Sequence, residues 1–267
     1  MAASLQEEMQ RVLFHDTIFG PIHSRRLGTS LGVNLTPNDG KICTFDCLYC
    51  EAGFNAQGPG TTGMSQREEV ARALEQKLRE MHAAGQQLDV ITFSGNGEPT
   101  VNPHFPEIVD DTLALRDKYF PEAKVSVLTN STRIHIPQVA EALKRVDNNI
   151  LKLDSALDST IRVLDRPNSP GFSAEKVIVD LRQFAGTGII QTMMLRGEWE
   201  GRRIDNTTPE EVTALIEAYK KMAPREIMLY SIDRTTPARS LEKIPAEELR
   251  SIGARIAEAT SIPVQVS

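Results

Sequence analysis

The three cysteines are the residues of this chain whose type and spacing point most directly to chemistry. Cys43, Cys47 and Cys50 lie within eight residues, and the sequence holds no other cysteine. A disulfide would leave one thiol over and strain so short a loop, and a structural zinc site normally takes four protein ligands. An iron–sulfur cube is held by thiolates, and three of them would leave its fourth iron without a protein ligand. The triplet favours such a cube, with an incomplete zinc knuckle as the alternative.

The residue before the last cysteine is aromatic, which gives the pattern C-x3-C-x-aromatic-C with Tyr49 as the aromatic. This pattern resembles the signature of the radical S-adenosylmethionine (SAM) enzymes. The resemblance implies that Cys43, Cys47 and Cys50 bind one 4Fe-4S cluster, whose open iron chelates SAM, and that Tyr49 lies beside the adenine. It also implies reductive cleavage of SAM to a 5′-deoxyadenosyl radical that abstracts hydrogen from a substrate. An electron donor such as flavodoxin or ferredoxin would then be a partner.

Length and composition describe an ordinary globular protein. Of the 267 residues, 40% are apolar and 25% are charged, which are typical proportions. No apolar run approaches the roughly 20 residues of a membrane span, and the N-terminus lacks a signal-peptide core. Without a disulfide framework, we expect a cytoplasmic protein with no membrane partner. The net charge of −6 argues against a broad nucleic-acid-binding face.

Strand and helix patterns alternate after the cysteine loop. The sequence predicts strands over 31–35, 89–94, 124–130, 149–155, 189–195 and 226–232, with a short final strand over 262–266. It predicts helices over about 2–13, 66–84, 104–119, 137–145, 157–164, 173–185 and 245–258, and one more after Thr208. Ser65 to Glu68 reads as a capping box, and Thr208 as an N-cap followed by Pro. The glycine-rich segment 52–64 reads as a loop that would close over a substrate.

Six strand–helix units favour an α/β fold with a parallel sheet, either open or closed into a barrel. Periodicity does not choose between the two. The resemblance to radical SAM enzymes implies a partial (β/α)6 TIM-like barrel with the cluster loop after strand one. We expect a single domain over residues 1–267, with residues 1–30 as an N-terminal extension packed on the barrel. In either architecture, the chemistry lies at the carboxyl ends of the strands.

A glycine-rich acidic segment follows the second predicted strand, and its residues are Gly95, Asn96, Gly97 and Glu98. A glycine turn before a helix is the simple explanation. The segment also resembles the Gly-Gly-Glu element of the radical SAM enzymes, with Asn96 in place of one glycine. That resemblance implies that its backbone and Glu98 hold the amino group of SAM. A carboxylate and open backbone carbonyls suit an ammonium group, and glycine allows a ligand to approach the backbone.

The third and fourth predicted strands also end in polar residues, which are Ser131 for the third and Lys152, Asp154 and Ser155 for the fourth. Charged side chains in a buried strand are costly unless they are paired or functional. A structural ion pair between Lys152 and Asp154 is therefore one interpretation. By their positions, the resemblance implies that these residues contact the ribose and the methionine carboxylate of SAM.

Arginines precede the first predicted strand and follow the fifth, at what would be the open end of the predicted barrel, its mouth. Arg196 follows the fifth strand, where it would hold a carboxylate of SAM or of the substrate. The candidate substrate-binding residues are Arg25, Arg26, Trp199, Arg202 and Arg203. The alternatives are a solvated loop after the fifth strand and ion pairs between the two N-terminal arginines and acids such as Glu7 or Asp46. Clustered guanidinium groups in an acidic chain favour a small anionic substrate.

Other substrate classes stay open. Residues 20–28, 31–34 and 232–234 resemble a branch related to 4-demethylwyosine synthases, which modify tRNA and would make tRNA a partner. The missing second-cluster cysteines and the acidic charge argue against that activity. A peptide or protein target, including a glycyl-radical enzyme to be activated, is a third class. A redox or metal-sensing module that does not use SAM is the non-enzyme alternative.

Overall fold

The computed structural model describes residues 12–24 and 28–267. These residues form ten strands: β1 Ile18–Ser24, β2 Gly28–Val33, β3 Val90–Phe93, β4 Lys124–Thr129, β5 Asn148–Lys152, β6 Ile189–Trp199, β7 Arg202–Asp205, β8 Glu226–Ser231, β9 Leu241–Lys243 and β10 Val264–Val266. They also form seven α-helices: α1 Arg67–Ala83, α2 Phe105–Tyr119, α3 Pro137–Arg145, α4 Asp158–Leu164, α5 Ala174–Leu181, α6 Pro209–Met222 and α7 Ala246–Thr260. The helix predicted over residues 2–13 lies almost wholly outside the described residues.

One sheet runs through the described part of the chain in the order β1-β2-β3-β4-β5-β6-β8-β10. Every neighbouring pair from β2 onward is parallel, and β1 is antiparallel to β2 at one edge. The edge strands β1 and β10 do not pair with each other among these residues, so the sheet is not closed. The predicted partial (β/α)6 barrel is confirmed, with the cysteine loop after β2, the first parallel strand.

The strands are apolar because helices and loops cover the sheet, as is usual for parallel strands. All four residues of β3 are buried. Leu78 of α1, Phe93 of β3 and Phe105 of α2 meet in the main core with no exposed surface, and the two phenylalanine rings pack edge to face with centroids 6.1 Å apart. Of the helices in the described part of the chain, none has the length and apolar character of a membrane span.

The fifth parallel strand continues past its predicted end. β6 runs to Trp199 and turns into β7, with Trp199 paired to Arg202. The two turn residues, Glu200 and Gly201, both have positive φ values, 49° and 74°, and such two-residue turns match the twist of a hairpin. Residues 196–203 were predicted as a polar strand end followed by a loop. They form a hairpin instead, and Gly201 was the available signal.

The two predicted helix starts differ in outcome. Thr208 caps α6, and its hydroxyl accepts a hydrogen bond from the backbone N–H of Glu211. The capping box at Ser65 was wrong because Gln66 is the N-cap of α1 and makes no side-chain cap bond. The Ser65 hydroxyl is buried and donates instead to the backbone carbonyl of Asn34, 3.1 Å away. That hydroxyl therefore ties α1 to the segment that follows β2.

Glu211 is a buried carboxylate at the start of α6. The hydroxyl of Ser155 donates to it at 2.6 Å, and the hydroxyl of Thr160 donates to its other oxygen. Burial raises the pKa of Glu211 above its ordinary value of 4.5, although the two hydroxyl groups oppose that shift. The folded state therefore favours the neutral acid more than the unfolded chain does.

We expect Glu211→Gln to change the pH dependence of stability. A raised carboxyl pKa stabilises the fold below the ordinary pKa, and that contribution is lost as pH rises through the raised value. Glutamine carries no charge, so the variant should gain stability relative to the wild type between acidic and neutral pH. Urea unfolding at both pH values measures this difference. The exposed Glu217→Gln is the control, and parallel pH profiles for wild type and Glu211→Gln would contradict the prediction.

Candidate functional site

The cysteine loop lies across the carboxyl ends of the parallel strands. Ile42 forms a single parallel bridge with Gly97, just beyond β3, and its carbonyl accepts from the N–H of Glu98 at 3.0 Å. The Thr44 and Thr132 hydroxyl groups lie 2.6 Å apart, which joins the loop to the end of β4. These contacts fix the loop at the edge where we expected the chemistry.

A second set of anchors comes from the segment after α4. Asp46 N–H donates to the carbonyl of Asp165 at 2.9 Å, and Leu48 N–H donates to that of Leu164 at 3.0 Å. The Asn168 side chain donates to the carbonyl of Cys43 at 2.9 Å. Sequence reasoning missed Asp165 and Asn168, since nothing in the pattern of a helix end predicts contact with a loop more than a hundred residues earlier.

The thiols are free, partly buried and placed beside cationic and amide groups. The Asn130 side-chain amide donates to Cys43 Sγ at 3.5 Å, and the Lys152 ammonium donates to Cys47 Sγ at 3.6 Å. Displacement of water by protein raises the pKa of Cys43 to about 12 and that of Cys47 well above its ordinary value. Thiolates here are therefore costly without a positive partner.

This donor set fits a multi-iron group. Three thiols come from one loop, and the buried ammonium groups of Lys41 and Lys152 lie beside that loop. Such a setting suits metal-bound thiolates that carry net negative charge. In the described residues, no three His, Cys, Asp or Glu side chains are grouped as ligands of a single metal ion. A cluster of several irons spreads its thiolates further apart than one ion does.

A buried polar network joins Lys152, Asp154, Asp165 and Tyr49. The Lys152 ammonium contacts Asp165 at 2.6 Å and also contacts Asp154 and the Tyr49 hydroxyl. Tyr49 donates to Asp154, whose second oxygen accepts from the N–H of Met193 at 2.9 Å. Asp154 and Asp165 are almost fully buried, at 0% and 1% exposure. The ion pair weighed from the sequence is therefore present, and Asp165 enlarges it.

Charge and burial shift the pKa values within this network. Burial raises the pKa of Asp165 to about 7, while Lys152 opposes the shift. Burial raises the pKa of Tyr49 well above its ordinary value, and the negative charge of Asp154 adds to the shift. Burial alone would lower the pKa of Lys152, but the two aspartates outweigh it and raise the pKa. Lys152 therefore stays positive.

Glu98 organises the ends of β3 and β4. One of its oxygens accepts from both the N–H and the hydroxyl of Thr100 and from the hydroxyl of Thr129. The other accepts from the N–H of Asn130 at 2.7 Å. Burial raises the pKa of Glu98 despite these donors. Ser131 follows with a positive φ of 66°, and its hydroxyl donates to the carbonyl of Lys152 at 3.1 Å.

Asn96 holds the segment before β1. Its side chain bonds to both backbone groups of Phe14 and to the carbonyl of Pro37. Its own N–H donates to Asn34. A Cβ on Gly95 would lie 2.2 Å from the same Asn34 oxygen. Both positions therefore have packing partners within the chain, and their predicted roles in SAM binding stay predictions.

Gly97 lies just beyond β3, where the cysteine loop bridges to the chain. A Cβ there would lie 1.9 Å from the carbonyl oxygen of Ile42, which is backbone and cannot rotate away. We expect Gly97→Ala to destabilise the protein by about 1–3 kcal/mol, the usual cost of overpacking. The matched control is Gly171→Ala, where the nearest atom is 4.0 Å away and the change should stay within about 0.5 kcal/mol. Urea unfolding measures the stability of both variants, and equal unfolding midpoints for the two would contradict this prediction.

The segment after the cysteines is held by local contacts. Asp39 accepts hydrogen bonds from Thr61 and Thr62, and these donors hold its pKa well below the ordinary value. Asn55 N–H donates to Asp46 at 2.7 Å. These contacts tie residues 55–62 to the cysteine loop and to the turn that precedes it.

The arginines expected at the mouth occupy varied positions. Arg196 pairs with Glu248 and donates to the Thr207 hydroxyl at 2.8 Å. Arg203 is exposed and pairs with Asp205 at 3.1 Å, and Arg202 is exposed as well. Trp199 is half-buried against Phe54, with ring centroids 5.5 Å apart. Two further candidates lie outside the described residues, namely Arg25 and Arg26.

Ser155 lies at the end of β5 with its side chain fully buried and directed at Glu211. Arg166, which sequence reasoning missed, lies beside the cysteine loop. Its guanidinium is 3.3 Å from Asp46 and stacks over the rings of Phe54 and Trp199. The positive φ of Arg166, 50°, directs the chain from α4 back along the loop.

A cleft of about 730 Å³ opens beside the cysteine loop. Its lining includes Thr44, Ser131, Arg133, Asn168, Phe172 and Lys176. The volume falls in the range of small-molecule sites, roughly 300–1,000 Å³. Thr44 belongs to the cysteine loop, and the Ser131 hydroxyl contacts the end of β5. The cleft therefore borders the site around the cysteine loop.

Curated proteins with related sequences align with most of this chain. A UPF0026 protein of Synechocystis is 30% identical over 227 residues, which are 82% of this chain and 77% of that protein. A Brachyspira hyodysenteriae protein named GTPase Obg is 25% identical over 253 residues, or 93% of this chain. The chain spans 35% of that protein's length.

Solved structures share the fold at low sequence identity. A radical SAM methyltransferase from Sphaerobacter thermophilus gives a TM-score of 0.63 at 16% identity, covering 89% of this chain and 65% of that one. Native anSMEcpe with bound AdoMet gives a TM-score of 0.58 at 14% identity, and the match covers 88% of this chain and 63% of that one.

The family assignment rests on the sequence. Residues 38–198, or 161 of 267, match the radical SAM superfamily, whose members generally bind an iron–sulfur cluster and SAM and need a reductant. With more than half of its length matched, the chain belongs to the radical SAM superfamily and is an enzyme of that superfamily.

Proposed function

We propose that this enzyme binds one 4Fe-4S cluster through Cys43, Cys47 and Cys50. The observation that carries the proposal is a single loop with three free thiols, held across the carboxyl ends of parallel strands. With SAM bound and one electron taken from a reductant, such a cluster would break the S–C5′ bond and supply a 5′-deoxyadenosyl radical to take hydrogen from a substrate. The chain's own contribution is to anchor the loop, to exclude water around it and to place positive charge beside the thiols.

Anaerobic reconstitution with iron and sulfide tests this proposal. The protein should bind about four irons, as expected for one cube, and should release 5′-deoxyadenosine from SAM when a strong reductant is added. Tight zinc binding by the native protein, with no iron uptake and no SAM cleavage after reconstitution, would overturn it. Flavodoxin or ferredoxin is our proposed electron donor, and each can replace the chemical reductant in the same assay.

For SAM we propose contacts along the strand ends. The residues are Tyr49, Gly95, Asn96, Gly97, Glu98, Ser131, Lys152, Asp154, Ser155 and Arg196. Position supports this assignment, since most of these residues lie at the ends of β3, β4 and β5 around the cysteine loop. Glu98 Oε2 accepts only one hydrogen bond among the described residues, so it retains capacity for an ammonium group.

Replacement of Glu98 tests the amino-group contact. We expect Glu98→Gln to weaken SAM binding by about 1–3 kcal/mol, the range for a hydrogen bond to a charged group, because the amide lacks the carboxylate's charge. Calorimetry on reconstituted protein measures the affinity, and iron content should stay at the wild-type level. The exposed Glu217→Gln is the matched control. Unchanged affinity in Glu98→Gln would remove Glu98 from the SAM site.

For the substrate we propose a small anionic molecule. The support for it is the position of Arg133 and Lys176 in the lining of the cleft beside Thr44, although Glu175 and Asp180 line the same cleft. The arginines first considered give it less support, since Arg196 and Arg203 pair with acids. A tRNA base and a peptide are the alternative substrates. A gel-shift assay with tRNA distinguishes a tRNA substrate from a small molecule.

A further inference from the structure

Lys41 is a buried cation just before the first cysteine, and the SAM contacts proposed above do not include it. Its side chain is 1% exposed. The ammonium donates to the carbonyl of Gly53 at 2.7 Å and lies 3.6 Å from Asp46 Oδ1. The Lys41 N–H donates to the carbonyl of Gly58 at 3.3 Å. The residue is therefore held from both its backbone and its side chain.

These contacts place the ammonium inside the cysteine loop. Asp46 directly precedes Cys47, and the N–H of Gly53 donates to the carbonyl of Cys50 at 2.9 Å. Lys41 itself lies two residues before Cys43. The ammonium is thus held against the segment that carries the triplet, between Asp46 and Gly53.

The negative charge of Asp46 does not fully balance the positive charge of Lys41. Asp46 also lies 3.3 Å from the guanidinium of Arg166 and accepts from the N–H of Asn55. Within this group of described residues, two cations therefore share one carboxylate. A buried ammonium is costly unless negative charge offsets it. Metal-bound thiolates on the same loop would bring that charge.

We propose that Lys41 is a positioning residue that stabilises the more negative, reduced form of the iron–sulfur cluster. The inference rests on the function proposed above. Reduction transfers one electron from the reductant to the cluster, and no bond or proton needs to move with it. A fixed positive charge in a site that excludes water favours the state with the extra electron, since the attraction is weakly screened there.

Two substitutions with opposite expected signs separate this role from simple bracing of the loop. Lys41→Met removes the positive charge and keeps a chain of similar length. Asp46→Asn keeps the size of the side chain and removes the negative charge that partly offsets Lys41. If either residue only braced the loop, both changes would loosen it and shift the cluster's potential in the same direction.

The measurement is the reduced fraction of the reconstituted cluster at a fixed solution potential, read by electron paramagnetic resonance. In Lys41→Met the ratio of reduced to oxidised cluster should fall at least about tenfold, which corresponds to 59 mV for one electron. In Asp46→Asn the ratio should rise. Iron content and thermal unfolding, measured alongside, show whether each variant still holds its cluster and its fold.

The outcomes are distinct. An unchanged ratio in Lys41→Met, or a shift of both variants in the same direction, overturns the inference. If Lys41→Met fails to hold iron, Asp46→Asn decides alone, and a ratio that does not rise overturns the role of Lys41. Wild-type protein that binds no iron overturns the proposed function and this inference with it. Wild-type protein that cleaves SAM while the variants leave the ratio unchanged overturns the inference alone.

Discussion

Cys47→Ala is expected to abolish release of 5′-deoxyadenosine and to lower iron binding to background. Loss of an outer-shell partner at a metal site already costs about 10–100-fold in affinity or activity, so loss of a direct ligand should cost at least about 100-fold. Iron analysis and chromatography of the SAM products measure the two effects after identical anaerobic reconstitution. No spare cysteine can replace the lost thiol, because the chain contains three in all.

The control for this variant is Ser251→Ala, at an exposed position on α7. It should reconstitute and cleave SAM as the wild type does. The metal-free forms of wild type and Cys47→Ala should unfold at similar temperatures, which separates loss of the cluster from loss of the fold. Retention of full iron content by Cys47→Ala would mean that Cys47 is not a ligand.

Lys152→Met is expected to be strongly destabilising. Removal of the ammonium leaves Asp154 and Asp165 buried without their cation, and breaking a buried pair by removing one partner costs about 3–5 kcal/mol. Urea unfolding of the metal-free, reduced protein measures the change. The surface control is Lys124→Met, whose ammonium is 61% exposed and 3.8 Å from Asp147; its cost should stay below about 1 kcal/mol.

A double variant tests whether charge is the cause. Asp165→Asn in the Lys152→Met background removes one of the uncompensated acids, so it should recover part of the lost stability. A double variant less stable than Lys152→Met alone would mean that Asp165 contributes through its hydrogen bonds and packing and not through the ion pair. With the single variant Asp165→Asn measured as well, the four proteins form a double-mutant cycle, and its interaction energy reports the coupling between Lys152 and Asp165.

Local sequence patterns predicted most of the architecture. Helix α3 occupies the predicted residues 137–145, and β4 and β8 lie within one residue of theirs. The pattern was less informative where two residues set a turn. Glu200 and Gly201 convert the end of β6 into a hairpin, and β7 then places the exposed Arg203 beside the largely buried Asp205.

The substrate reasoning from arginines shows a different limit. A guanidinium near a strand end is equally suited to an anionic ligand and to a carboxylate of the chain. Arg196 finds such a carboxylate in Glu248, 52 residues later in the sequence. Arg133 and Lys176 line the cleft, although neither belongs to a motif that singled it out.

The sequence by itself determined that three thiols lie on one loop after a strand, because covalent spacing and strand periodicity are properties of a few neighbouring residues. Only the tertiary structure decided what surrounds those thiols. Tyr49 meets Asp154 across 105 positions, and Asn168 reaches Cys43 across 125. Such contacts depend on how the strands and helices pack together, and no local pattern of charge or polarity specifies which distant partner a buried group will meet.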